Sequence, residues 1–209
     1  NVEDRELAEY GILQWGNMNY NYNEATMGYN ESGKSNFSGI SYQSRGWPVP
    51  HLVGYMESHD EERLMYKNIT WGASLDNYNV TNLATALQRM ETAASFFITV
   101  PGPKMIWQFG EIGYEYSRYT CPNGIVEDGN DICKQSAKPV KWDYLDDPDR
   151  IRLYAVFSEL IKLRNENEVF HTTDFTMDVN KAMKSIHLNG VDMNVTIIGN
   201  FDLKSEKID

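Results

Sequence analysis

The sequence predicts a parallel α/β fold that gives way to an antiparallel β unit, on three observations. The chain has 209 residues, 41% of them hydrophobic, enough to bury a sizeable core. Up to about residue 166, short apolar runs ending in polar loops alternate with amphipathic helical segments. After Phe170, three strand-like runs follow one another with only very short turns between them.

The elements can be taken in order. Residues 2–9 ("VEDRELAE") predict a short helix, and Ile12–Trp15 a brief apolar run. Residues 16–50 are rich in Asn, Gly, Ser and Tyr and predict a long irregular stretch, usually functional inside a compact domain. "LVGYM" (52–56) is short, mostly apolar and closed by polar residues, so it predicts a buried strand. Leu83, Leu87, Met90, Ala94 and Phe97 recur at helical spacing and predict a helix near 80–97 with Asn79 or Thr81 as its cap. "KMIWQF" (104–109) predicts a second strand that ends in Gly110, Glu111 and Gly113. In "LDDPDRIRLYAVFSELIKLRNEN", Asp147 stands as N-cap before Pro148, with Leu153, Val156, Phe157 and Leu160 facing inward. "HTTDFTMDV", "MKSIHL" and "MNVTIIGNF", joined by "NKA" and "NGVD", predict antiparallel hairpins. The expected units are residues 1–168, the parallel part, and 169–209, the start of an all-β domain.

Charge and composition narrow the partners. Nineteen Lys plus Arg against 30 Asp plus Glu give a net charge of −11, which argues against nucleic acid or an anionic membrane. No apolar run reaches the roughly 20 residues of a bilayer span. The start, "NVEDRELAEY", resembles neither a signal nor a transit peptide, lacks Met, and reads like the middle of a longer chain. Five Trp and 13 Tyr among many Asn and Gly suit sugars, whose C–H faces stack on rings while amides bind their hydroxyls. A loop of simply packed rings has the same composition. Cys121 and Cys133 bracket a turn-rich loop, either as a disulfide, which favours export, or as free thiols; the remaining ligands of a zinc site are missing. "EDGND" (127–131) lacks the spacing of a calcium loop.

The chemistry-bearing stretch is "ESHDEER" (57–63), which follows directly on "LVGYM". In parallel α/β folds functional groups gather at the carboxyl ends of strands, where this segment falls. Three readings compete. Glu61, Glu62 and Arg63 begin a solvated helix capped by Asp60; or Glu57, His59 and Asp60 hold a metal, although no second His cluster completes the shell; or the segment is a carbohydrate site. In the last, His59 bonds sugar hydroxyls and Asp60 sits near developing positive charge.

At these residues the sequence resembles the α-amylase family, glycoside hydrolase family 13. "GYMESHDEER" is similar to the segment after the family's strand seven, and "PGPKMIWQFGEIG" to that around strand eight. "KPVKWDYLDDPDRIRLYAVFSELIKLRNEN" is similar to the last barrel helix and its approach. The resemblance covers nearly the whole chain in the family's order. It implies a partial (β/α)8 TIM barrel, strands six to eight with "ILQW" as strand six, followed by part of an antiparallel β domain. It implies that Asp60 is the transition-state stabiliser and that His59 contacts the sugar beside the scissile bond. Arg63 and Glu111 are further candidates for substrate binding, as are the rings of Trp15, Tyr20, Tyr22 and Trp47. Ser58 replaces the family's usual Asn, and the Gly and Pro of 102–111 are offset by one residue from the usual pattern.

The family's nucleophile Asp and acid/base Glu, set about 5–5.5 Å apart in retaining enzymes, have no counterpart motif here. The chain therefore reads as the C-terminal fragment of a retaining α-glucan hydrolase, inactive alone. Its expected partners are a starch- or glycogen-like glucan and the missing part of the barrel or a second copy. No cofactor is expected from this chain, and calcium only in a complete enzyme. The alternatives are a glucan-binding or scaffold protein with the same fold, or a branching or transglycosylating enzyme, since Lys104 stands where branching-type relatives carry Lys.

Overall fold

The structure, a computed structural model, describes residues 2–207. In chain order its elements are α1 (Val2–Glu9), β1 (Gln14–Asn17), α2 (Asn19–Met27), β2 (Leu52–Tyr55), α3 (Leu64–Trp71), β3 (Ser74–Leu75) and β4 (Tyr78–Asn79). There follow α4 (Leu83–Ile98), β5 (Lys104–Met105), α5 (Asp131–Gln135), α6 (Pro148–Glu166), β6 (Phe175–Asp178), β7 (Met183–Asn189) and β8 (Asn194–Asn200).

Three parallel strands position the rest. β2 lies between β1 and β5, with Gln14 opposite Leu52, Asn17 opposite Tyr55 and Tyr55 opposite Met105. Side chains alternate along a strand, so Gly16, Leu52, Gly54 and Lys104 share one face and Trp15, Val53, Tyr55 and Met105 the other. The first face is packed by the helical layer. A Cβ at Gly54 would lie 2.8 Å from Ile40 Cγ1, which is why glycine stands there. The opposite face is open at its β1 edge: Tyr55 is buried and Val53 and Met105 are half-buried, but Trp15 is 66% exposed and stands edge-on to Tyr55 with ring centroids 5.8 Å apart.

α4 and α6 pack on each other through Leu87, Met90, Phe97, Leu153 and Phe157, the apolar stripes read from the sequence. Asp147 caps α6 by accepting from the N–H groups of Asp149 and Arg150. β6, β7 and β8 form an antiparallel sheet in that order. One core joins it to the first part: Phe37 stacks on Tyr22 at 4.0 Å and meets Phe201 edge-on at 5.2 Å. Lys184 is buried beside them, its ammonium donating to the Ser35 carbonyl at 2.7 Å and lying 4.4 Å above the Phe37 ring.

Several elements differ from expectation. Residues 16–50 are irregular only in their second part: they open with the end of β1 and α2, and from Gly28 on hold just three 3₁₀ turns at Glu31–Gly33, Ser38–Ile40 and Gln43–Arg45. Burial of Met18, Tyr22 and Ala25 along one helix side outweighs the poor helix propensity of Asn and Tyr. α4 is capped by Asn82, which accepts from Thr85 N–H, and not by Asn79 or Thr81. β5 covers only Lys104–Met105; beyond it the chain turns, and Phe109 adopts a left-handed backbone with φ 60°. α3 begins at Leu64, so Glu61–Arg63 are not the first turn of a helix capped by Asp60.

Candidate active site

The site is built where β2 runs out into residues 57–63. Asn19 of α2 pins both ends of this loop, its amide donating to the carbonyls of Met56 at 2.8 Å and Glu62 at 2.7 Å. Glu57 turns inward. Its carboxylate accepts from Leu64 N–H at 2.7 Å and faces Arg63 at 3.7 Å, both side chains almost fully buried. Burial pushes the Glu57 carboxyl up, against the pull of Arg63 and the Leu64 N–H, and pushes Arg63 down against the pull of Glu57. Gly110 passes so close that a Cβ there would lie 2.6 Å from Glu57 Oε2.

Asp60 turns outward. Its backbone N–H donates to Ser58 Oγ at 3.2 Å, and that hydroxyl in turn donates to the Glu61 carboxylate. The Asp60 carboxylate is 57% exposed, with Oδ1 3.0 Å from Lys134 Nζ and Oδ2 3.2 Å from His59 Nε2. Lys134 first, and then His59, hold it below the usual carboxylate range, so it is ionised at neutral pH. The His59 ring lies 5.7 Å from that of Trp107.

These groups open onto a cleft of about 1000 Å³ whose lining includes His59, Asp60, Trp107, Glu111, Lys134 and Trp142. Phe109 meets Trp142 edge-on at 4.9 Å. From behind, the Arg63 guanidinium lies 5.8 Å from the Trp107 ring and 5.2 Å from that of Tyr114, stiffening the aromatic wall. A partly open cleft with an ionised carboxylate, an imidazole and indoles is suited to hold a polyhydroxylated ligand beside a fixed negative charge.

The structure thus brings Asp60, His59, Glu111 and Arg63 to one cleft and leaves the other candidates outside it. Tyr22 is fully buried, stacked on Phe37 with its hydroxyl donating to the Phe96 carbonyl at 3.1 Å, and cannot be a stacking platform. Trp47 is likewise in the core, at 4% exposure. Trp15 and Tyr20 are exposed but do not line the cleft. Arg63 is 4% exposed and committed to Glu57, so its work is structural. Lys104 faces the helical layer, donating to the carbonyls of Val100 at 2.9 Å and Gly102 at 2.8 Å.

Sequence reasoning missed Trp107, Trp142 and Lys134. Trp107 lies within "KMIWQF", a run whose composition predicts a strand, and nothing local marks Lys134 as a partner of Asp60. Cys121 and Cys133 form a disulfide; Glu127 lies beside them, but no thiolate is left to bind a metal there.

A parallel strand–helix array with its cleft at the carboxyl ends of the strands, followed by an antiparallel sheet, is the layout of the last part of a (β/α)8 barrel and the β domain behind it. The solved structures similar to this chain specify the fold further: it is that of the C-terminal portion of α-amylase-family enzymes. The catalytic module of the pneumococcal glycogen-degrading virulence factor SpuA superimposes with a TM-score of 0.68 at 13% identity, over 97% of this chain and 37% of that one. The α-amylase of Geobacillus thermoleovorans, solved with acarbose, gives 0.58 at 17% identity over 96% and 39%. AmyP, solved with maltotriose, gives 0.61 at 18% identity over 94% and 43%. The chain therefore spans about two fifths of the length of these structures. No family model matches the sequence, and no curated protein matches it. Among the described residues, no helix is long and apolar enough to cross a membrane.

Proposed function

We propose that this chain supplies one wall of the active site of a retaining α-glucan-active glycosidase acting on starch- or glycogen-like polymers. The observation that carries the reading is the ionised Asp60 at the carboxyl end of β2, opening on a cleft lined by Trp107 and Trp142. In that role Asp60 stabilises the positive charge of an oxocarbenium-like transition state, and His59 donates to the hydroxyls of the sugar at the scissile bond. Glu111 lines the same cleft as a further polar contact. The nucleophile and the acid/base come from the portion of the barrel outside this chain, and this chain alone does not turn over glucan. The open face bearing Trp15, continued by Leu13 at 57% exposure, is covered by further parallel strands of the same polypeptide.

Support comes from the fold and from the maltotriose and acarbose in similar structures. The test is a maltotriose titration of a polypeptide that joins this chain to the rest of its barrel, read by indole fluorescence. Binding is expected, weakened about tenfold by Trp107→Ala, a loss of about 1.4 kcal/mol. An unchanged titration in that variant would move the sugar elsewhere.

A further inference from the structure

We propose that Lys134 is a positioning residue for the Asp60 carboxylate, and that the hairpin closed by Cys121–Cys133 is the frame that delivers it. The inference rests on the reading of Asp60 given above.

Residues 117–138 form a self-supporting unit. Thr120 pairs with Val126, Cys121 N–H donates to Ile125 O at 2.8 Å, and Gly124 N–H returns to Cys121 O at 2.8 Å. The Asn130 side chain caps Ile132 and Cys133, and Lys138 Nζ ties the Thr120 and Cys133 carbonyls together. The disulfide joins the two arms, with Cα atoms 4.5 Å apart.

Both arms grip the 57–63 loop. On the first arm, Ser117 Oγ and Arg118 N–H each donate to the Glu62 carboxylate at 2.8 Å, and the Arg118 guanidinium donates to the Asp60 carbonyl. On the second, Lys134, the residue after Cys133, reaches Asp60 Oδ1 at 3.0 Å. With His59 Nε2 3.2 Å from Oδ2, each carboxylate oxygen has a basic group beside it. The groups facing Asp60 are therefore Lys134 and Arg118 from the hairpin, His59 beside it, and Tyr55 and Glu61 around the end of β2.

A lysine on a free loop loses much of its rotamer entropy when held to one partner, which is why exposed ion pairs usually contribute little. Here the frame orders the loop beforehand. Opening the disulfide releases the second arm and lengthens the set of conformations open to Lys134.

The test follows the Asp60 carboxyl directly, by ¹³C NMR titration of a polypeptide that joins this chain to the rest of its barrel, in the wild type, Lys134→Met, Lys134→Arg and the Cys121→Ser/Cys133→Ser double variant. The Asp60 midpoint is expected to move to higher pH in Lys134→Met and in the double variant, and to return toward the wild-type value in Lys134→Arg. Maltotriose Kd is expected to rise about two- to fivefold in Lys134→Met. A midpoint unmoved by Lys134→Met in a protein with a native amide spectrum would overturn the proposal. A moved midpoint with no maltotriose binding in any form would leave the positioning role standing and sink the glucan reading instead.

Discussion

Replacing Gly110 with alanine tests how the acidic loop is held. The added Cβ would lie 2.6 Å from Glu57 Oε2, where ordinary contact begins at 3.4 Å, so something must give by about 0.8 Å. Gly110 is buried, and its backbone N–H donates to the Trp107 carbonyl at 2.9 Å. Glu57 can retreat only by loosening its bond to Leu64 N–H, which strands a buried donor beside a buried carboxylate at a cost of about 1–3 kcal/mol. If it holds, overpacking costs a similar ~1–3 kcal/mol. Either route predicts a loss of about 2 kcal/mol in urea unfolding at neutral pH. For a chain of this size that corresponds to a Tm lower by about 4–8 °C. A loss below about 0.5 kcal/mol would refute the tight packing of Glu57 against the turn after β5.

Two further outcomes are expected. Burial pushes the Tyr114 hydroxyl up to about 12, while an unfolded tyrosine ionises near pH 10. The folded-state value is raised, so this contribution is complete below pH about 10 and declines as pH climbs toward 12. Stability measured across that window should fall less steeply in Tyr114→Phe, and an identical slope would reject the assignment. Because the strand face bearing Trp15 is open, the chain in isolation should self-associate. Size-exclusion chromatography giving a non-aggregating monomer of 24.1 kDa would contradict this.

What the sequence revealed depended on how local the signal was. The change from "LVGYM" to "ESHDEER" lies within one short stretch, so both β2 and the position of Asp60 were legible. The α4 stripe and the β7–β8 hairpin were legible for the same reason, since their periodicity and turn lie within a few residues. Tyr22 and Trp47 misled because aromatic composition carries no record of burial: stacking of Tyr22 on Phe37 is decided by a partner fifteen positions away and by the β sheet behind it. The early end of β5 reflects a left-handed turn at Phe109, a residue type that gives no warning of one. Lys134 and Trp142 reach the cleft only because the disulfide hairpin and the approach to α6 fold back over the 57–63 loop.

The site divides its two kinds of acid by depth. Glu57, buried against Arg63, holds the loop, and Asp60, exposed and paired on both oxygens, is left ionised and available. The most direct measurement of that division is the turnover of Asp60→Asn in a polypeptide that joins this chain to the rest of its barrel, beside maltotriose binding by the same variant. Turnover should fall roughly a hundred- to a thousandfold while the Kd stays within a few-fold of wild type. Full turnover in Asp60→Asn would contradict the role assigned to that carboxylate, whatever the Kd.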